Sequence, residues 1–128
     1  RYRYWFTDER EMNTLALGLG VALFGGFASV LRLALSRWTG WLPWGILFAN
    51  TAASLLAGFE LIGTQTPNPL VVAGICGGLS TFSTFAGQTV EFAKAKQFGK
   101  AVINMTANLL LPFTAALAPL ALATALLN

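Results

Sequence analysis

The chemistry in this chain gathers in residues 74–85, Gly-Ile-Cys-Gly-Gly-Leu-Ser-Thr-Phe-Ser-Thr-Phe, where an apolar run becomes rich in glycine and hydroxyl groups without ending. Ser80, Thr81, Ser83 and Thr84 are uncharged hydrogen-bonding groups. Phe82 and Phe85 are two rings three residues apart, which share a face if a helix resumes after the glycines. Gly77 and Gly78 admit unusual backbone angles and the close approach of another segment. Together these residues predict a membrane helix broken at mid-depth. Backbone N–H and C=O groups freed inside hydrocarbon cost several kcal/mol each, so such a break persists only where it is buried in protein or lines a hydrated cavity. It is therefore a candidate binding site.

The rest of the chain is what such a break requires. Its 128 residues are 55% hydrophobic and only 10% charged, far from the roughly 25% charged residues of soluble domains, and its mean hydropathy is +0.64. A span needs about 20 mostly apolar residues. Four windows meet that length, 14–35, 44–63, 69–92 and 100–127. They predict an all-α integral membrane protein, a single four-helix domain with no room for a soluble one. Residues 1–13 mix Arg1, Arg3, Arg10, Asp8, Glu9 and Glu11 with Tyr2, Tyr4, Trp5 and Phe6, which suits a segment lying at the lipid headgroups.

Composition also excludes several functions. With no histidine and a single cysteine, Cys76, the chain has neither a soft-metal ligand set nor an intramolecular disulfide. Metalloenzyme and redox chemistry fall away, and Cys76 reads as a small packing residue. A net charge of +3 spread over several segments gives no support to nucleic-acid binding.

Each span carries its own polar marks. Gly18, Gly20, Gly25, Gly26, Ala28 and Ser29 form a small-residue stripe on the first span, the kind that lets helices approach closely in lipid. Arg32, at its end, is either a side chain snorkelling to the interface or an anion-attracting charge at a pore mouth. Trp38, Trp41 and Trp44 mark one membrane interface. In the second span, Asn50 is either an interhelical hydrogen-bonding group or an uncharged donor able to hold an anion. Thr51 and Ser54 follow it, and Glu60 reads as an interface anchor near the exit. The fourth span holds Asn104, Thr106, Asn108, Pro112, Thr114 and Pro119, so it is polar toward its start and expected to kink. Pro112 lacks the N–H that would pair with the carbonyl of Asn108.

Charges counted by side are nearly balanced. Arg1, Arg3 and Arg10 fall on one side, while Arg37, Lys94, Lys96 and Lys100, with Arg32 if it snorkels outward, fall on the other. A firmly oriented protein shows a clear Lys/Arg excess in its cytoplasmic loops, so insertion in both orientations is expected.

Gly-Gly-Leu-Ser-Thr-Phe-Ser-Thr-Phe at 77–85, together with Arg32, Trp44-Gly45 and Asn50, resembles the signature of the small fluoride channels of the Fluc/CrcB family. The resemblance covers essentially all four spans. It implies an antiparallel, dual-topology dimer of four-helix subunits in the cell membrane, with two fluoride pathways and a central sodium ion on the twofold axis. It implies that the carbonyls of Gly77 and Ser80 hold the sodium, that Phe82 and Phe85 line the pathways and that Asn50 donates to fluoride. Thr81, Ser83 and Thr84 would add polar contacts, and Arg32 would act near a vestibule. The implied activity is passive exit of fluoride from the cell, with no enzymatic step. Two positions depart from the family pattern. Gln88, which is also expected on the anion pathway, stands where a glutamate is usual, and Leu111-Pro112 where a Gly-Ser pair is usual.

These departures leave room for a heteromeric channel, in which a paralogous subunit replaces the second copy and this subunit conducts weakly alone. A small proton-coupled exporter is the reading from another class. It needs a carboxylate at mid-membrane, whereas Glu60 and Glu91 both lie near span ends.

Overall fold

A computed structural model describes residues 8–63 and 66–127, and every regular element among them is helical. Helix α1 (Asp8–Ser36) and helix α2 (Trp44–Gly63) come first. A π-helical segment (Leu70–Cys76) runs directly into the short α3 (Gly77–Leu79), and α4 (Phe82–Lys94) and α5 (Phe98–Leu127) complete the chain. Among the described residues, four spans are long and apolar enough to cross a membrane, Asn13–Ser36, Trp44–Gly63, Leu70–Lys94 and Phe98–Leu126. They agree with the four expected windows to within a few residues. The interfacial reading of residues 1–13 falls, for 1–7, outside the described residues; from Asp8 the helical backbone continues into the first span.

Packing divides the molecule in two. Helix α1 lies against the π-helical segment and α3, whereas α2 and α4 both lie against α5. The small-residue stripe on α1 permits the first contact. A Cβ on Gly78 would run into the Gly25 carbonyl, and one on Gly74 would sit 3.1 Å from the Phe24 Cβ. In the second contact, a Cβ on Gly58 would run into the Ala116 carbonyl of α5. These glycines are needed for close approach. No described glycine has a positive φ, so the unusual angles allowed at Gly77 and Gly78 are not used.

The third span begins with a locally determined start. Asn68 accepts the Leu70 N–H on its Oδ1 at 2.9 Å, and its carbonyl accepts from Val71 and Val72 at 3.0 Å each. Pro69, at φ −60°, costs no hydrogen bond in this first turn. The Glu60 carboxylate accepts the Asn68 N–H at 3.0 Å, which places it at the turn, as its position near the span exit predicts. A π-helical stretch was not legible in the sequence; wide turns of this kind recur at functional sites. The span is then interrupted where Ser80 and Thr81 turn extended, at φ −80°, ψ 151° and φ −154°, ψ 123°. The expected break is thus present, at 80–81. Helix α5 runs as one element through Pro112 and Pro119.

Outward-facing positions are apolar. Leu23, Phe27, Leu33, Leu61 and Phe113 are all exposed, the surface a lipid-embedded bundle needs. Trp38, Trp41 and Trp44 are also exposed and flank the loop between α1 and α2, consistent with an interfacial aromatic belt.

Candidate functional site

The break opens onto a cavity of about 240 Å³ lined by Asn50 and Ser54 of α2, Ser80 and Thr81 of the break, Phe82 and Phe85 of α4, and Asn108, Leu109 and Pro112 of α5. Four residues singled out from the sequence for an anion pathway, Asn50, Thr81, Phe82 and Phe85, therefore share one wall system. Three elements far apart in sequence converge here because α5 packs against both α2 and α4.

Asn50 spans the break. Its Oδ1 accepts the Thr81 N–H at 2.7 Å, and its Nδ2 donates to the Thr81 carbonyl at 3.2 Å and to Asn108 Oδ1 at 3.0 Å. One side chain thereby pairs the N–H of a residue that leaves the helix inside the membrane, where an unpaired group is costly, and adds a second donor to its carbonyl, which at the N-cap of α4 already accepts the first bond of that helix. Both hydrogens of the amide are committed. Of the two roles left open for Asn50, interhelical bonding is the one its geometry displays.

Past the break, Thr81 caps α4, its hydroxyl accepting the Thr84 N–H at 3.3 Å, the usual service of a threonine at a helix start. The same oxygen lies 3.3 Å from the Ser83 hydroxyl and 3.1 Å from that of Thr84. Thr81, Ser83 and Thr84 therefore form one hydroxyl cluster. With three O–H groups meeting at one oxygen, at least one hydrogen can turn outward. Phe82 and Phe85 share a face, as their spacing predicts, in an edge-to-face pair with centroids 4.7 Å apart and planes at 78°. Phe85 is 5% exposed and Phe82 is 72% exposed. The positive edge of one ring is directed at the other, as the quadrupole favours.

The break also frees carbonyls. The Thr81 N–H, four residues after Gly77, is held by Asn50 rather than by the Gly77 carbonyl. The Thr84 N–H, four residues after Ser80, is held by the Thr81 hydroxyl rather than by the Ser80 carbonyl. Gly77 and Ser80 line a second cavity of about 200 Å³ with Ala53, Ser54, Ala57, Val72 and Cys76, and both residues are exposed in the isolated chain.

Gln88 stands apart from this group. It lines a cavity of about 260 Å³ with Thr39, Gly40, Leu42, Pro43, Glu91 and Phe92, and its Oε1 is buried without a hydrogen-bond partner. Arg32 borders none of these three cavities; its side chain is half-buried and its Nε is likewise without a partner. Sequence reasoning noted Asn104 and Asn108 as polar but did not assign them to the site. Asn108 lines the main cavity, and Asn104 lies one turn away, 1% exposed. Two amides four residues apart in an apolar span share one helix face, and that was the available signal.

Comparison with known proteins places these residues in a family context. The model of the family described as "CrcB-like protein, Camphor Resistance (CrcB)" matches residues 19–120. The chain is similar to a protein of Bordetella avium named fluoride-specific ion channel FluC, 36% identical over 98 residues, covering 70% of this chain and 75% of the relative. It is similar to fluoride-specific ion channel FluC 1 of Thermobifida fusca, 36% identical over 108 residues, 77% of this chain and 84% of the relative. A third relative of the same name, from Aeromonas salmonicida, is 38% identical over 98 residues, covering 71% and 76%.

Proposed function

The chain belongs to the CrcB family, and from that premise we propose that it is a fluoride-specific ion channel of the cell membrane that lets fluoride leave the cytoplasm down its electrochemical gradient. It is a multi-pass membrane protein with no catalytic step. The observation that carries the reading is the cavity at the break, where hydroxyls, an amide and two phenylalanines converge within a bundle of apolar helices.

Fluoride is small and strongly hydrated, so a pathway must replace its water with donors that do not trap it. Conduction requires sites weak enough for the ion to leave. The cluster of Thr81, Ser83 and Thr84 supplies uncharged O–H groups, and the rings of Phe82 and Phe85 supply positive edges. Asn50 contributes by holding the break open. An ion at its Nδ2 competes with the Thr81 carbonyl and Asn108 Oδ1 for the amide hydrogens. Gln88 and Arg32 lie off this cavity, and in this reading they act at its approaches.

The partner in this reading is a second copy in the opposite orientation, in line with the near-even Lys/Arg distribution and the exposure of Gly77, Ser80 and Phe82. The carbonyls of Gly77 and Ser80, deprived of their helical donors, are hard oxygen ligands that fit a sodium ion shared between copies. Such an ion would supply positive charge that holds the freed carbonyls together. Pro112 on the cavity wall is the feature that favours a heteromeric channel, because a proline brings no hydroxyl to the lining. Efflux from liposomes containing the purified chain alone, followed with a fluoride electrode and with chloride as control, tests the reading. Rapid fluoride-selective efflux is expected. No efflux from the chain alone, with efflux restored by a paralogous subunit, would replace the homodimer by the heteromer.

A further inference from the structure

Helices α2, α5 and α4 are tied by an unbroken series of hydrogen bonds whose polarity is fixed at both ends by the backbone. At one end the Thr81 N–H can only donate, so the Asn50 amide must present Oδ1 to it, at 2.7 Å. The Asn50 Nδ2 then faces α5, and Asn108 must answer with Oδ1, at 3.0 Å. Asn108 is left with Nδ2 toward the preceding turn, where it donates to the Asn104 carbonyl at 3.0 Å and to Asn104 Oδ1 at 3.2 Å. Asn104 in turn points its Nδ2 at α4. There it donates to the Thr89 hydroxyl at 2.8 Å and to the Phe85 carbonyl at 3.3 Å, and the Thr89 hydroxyl also donates to that carbonyl at 2.8 Å. A carbonyl can only accept, so the far end is fixed as firmly as the near one.

An amide can be turned end for end about its last bond with little change of shape. Here Asn50 and Asn108 cannot turn without setting like groups together at both of their contacts, and Asn104, although the Thr89 hydroxyl could answer either end, cannot turn without setting Oδ1 against the Phe85 carbonyl and Nδ2 against the Nδ2 of Asn108. Asn50, Asn104 and Asn108 are all buried, at 6%, 1% and 5% exposure, so an amide that turned would leave buried polar atoms poorly paired. The two ends of the series, Thr81 and Phe85, bound the first turn of α4, which carries Phe82, Ser83 and Thr84.

We propose that Asn104 is a positioning residue for ion passage. It borders none of the cavities at the break, yet it accepts from the Asn108 amide and so helps hold the orientation in which Asn108 Oδ1 meets Asn50, and with Thr89 it donates to the Phe85 carbonyl. The first turn of α4, with its rings and hydroxyls, is thereby held at two points against α2 and α5. The role in ion passage rests on the fluoride-channel reading; the hydrogen-bonded series itself does not.

Two kinds of measurement on the full chain in lipid separate these levels. Amide hydrogen exchange of the segment 80–85, read by mass spectrometry, reports the series without reference to function. Asn104→Leu, which keeps the volume and removes both polar atoms, should raise exchange in this segment at least tenfold while α1 is unaffected. Thr89→Val should raise it several-fold, and Thr89→Ser, which keeps the hydroxyl, should restore the unmodified rate. Fluoride efflux measured over a range of fluoride concentrations gives the second readout. Asn104→Leu and Thr89→Val should raise the half-saturating concentration about threefold or more, with Thr89→Ser again like the unmodified chain. Loss of packing alone would lower the maximal flux and leave half-saturation in place.

If Asn104→Leu does not yield folded protein, the Thr89 pair decides. Unchanged exchange in Thr89→Val, or raised exchange with unchanged half-saturation, overturns the proposal. Should the unmodified chain carry no fluoride either alone or with a paralogous subunit while exchange responds as stated, the channel reading and the role of Asn104 in ion passage both fall, and the series alone stands.

Discussion

The two halves of the third span are held by opposite means. Before the break, the π-helical segment and α3 lie on α1 through glycines, with Gly25, Gly74 and Gly78 bringing backbone against backbone. One side-chain hydrogen bond, from the Ser29 hydroxyl to the Gly78 carbonyl at 3.3 Å, accompanies that contact. After the break, α4 is held by the chain of amides running through Asn50, Asn108 and Asn104. Lipid tails are as apolar as the side chains, so helices in a membrane gain little from hydrophobic burial against each other. They are left with close packing and hydrogen bonding, and this chain uses one on each side of its interruption. A segment with extended residues at mid-membrane needs an anchor at both edges. A steric anchor fixes distance but says nothing of polarity, whereas an amide anchor also selects which backbone groups are satisfied. The second kind sits where the hydroxyls and rings are.

The largest effect is expected where the steric anchor is overfilled. Gly78→Ala puts a Cβ into the Gly25 carbonyl and within 3.0 Å of the Ala28 Cβ. Neither is the tip of a flexible side chain, so the cost should reach about 3 kcal/mol, the upper end for overpacking. Little folded protein should survive detergent extraction, as judged by size-exclusion chromatography. On the other side, Asn50→Leu removes three hydrogen bonds and leaves the Thr81 N–H and Asn108 Oδ1 without partners. A loss of about 2 to 3 kcal/mol follows from leaving such groups unsatisfied, measured by denaturation in mixed micelles. Stability close to that of the unmodified chain for Gly78→Ala would show that α1 and α3 are free to part, and the steric anchor would not exist.

Much of this division was legible in the sequence. The four spans follow from apolar run length, the break from glycines followed by hydroxyls, and the stripe on α1 from the recurrence of Gly25, Ala28 and Ser29. Fold recognition from the motif at 77–85 held as well, since the family match extends over residues 19–120. Three features were not legible. The π-helical register of residues 70–76 depends on how Asn68 and Pro69 start the turn and on what Gly74 must approach, which are tertiary facts. The partners of Asn50 could not be read, because hydrogen-bond polarity in a buried amide is set by groups 31 and 58 residues away. The grouping of Gln88 with Thr39 and Pro43, away from the cavity at the break, depends on how the loop between α1 and α2 folds back.

A smaller effect on stability, but a large one on function, is expected inside the amide-anchored half. Phe85→Ile keeps apolar bulk and removes the ring from an edge-to-face pair worth about 1 kcal/mol beyond burial. Fluoride efflux should fall at least tenfold while the protein elutes unchanged from size-exclusion chromatography, and Phe82→Ile should behave alike. Phe113→Ile, on an exposed face of α5, should leave efflux within twofold of the unmodified chain. Full efflux from both pathway variants would reduce these rings to packing.

The smallest effect sharpens the comparison most, because it is placed on the same contact as the largest. Ser29→Ala deletes the hydrogen bond to the Gly78 carbonyl and nothing else, since the methyl that remains already occupies its place on α1. Interhelical hydrogen bonds in membranes average about 0.6 kcal/mol, and this one is long, at 3.3 Å, and only part-buried. Its loss should therefore cost about 0.5 kcal/mol or less, several-fold below the cost of one methyl group added to Gly78. Both variants alter the meeting of α1 with α3, so a common denaturation assay compares them directly. If Ser29→Ala proves as damaging as Gly78→Ala, the two halves of the span are held by the same force after all, and hydrogen bonding is the anchor on both sides of the break.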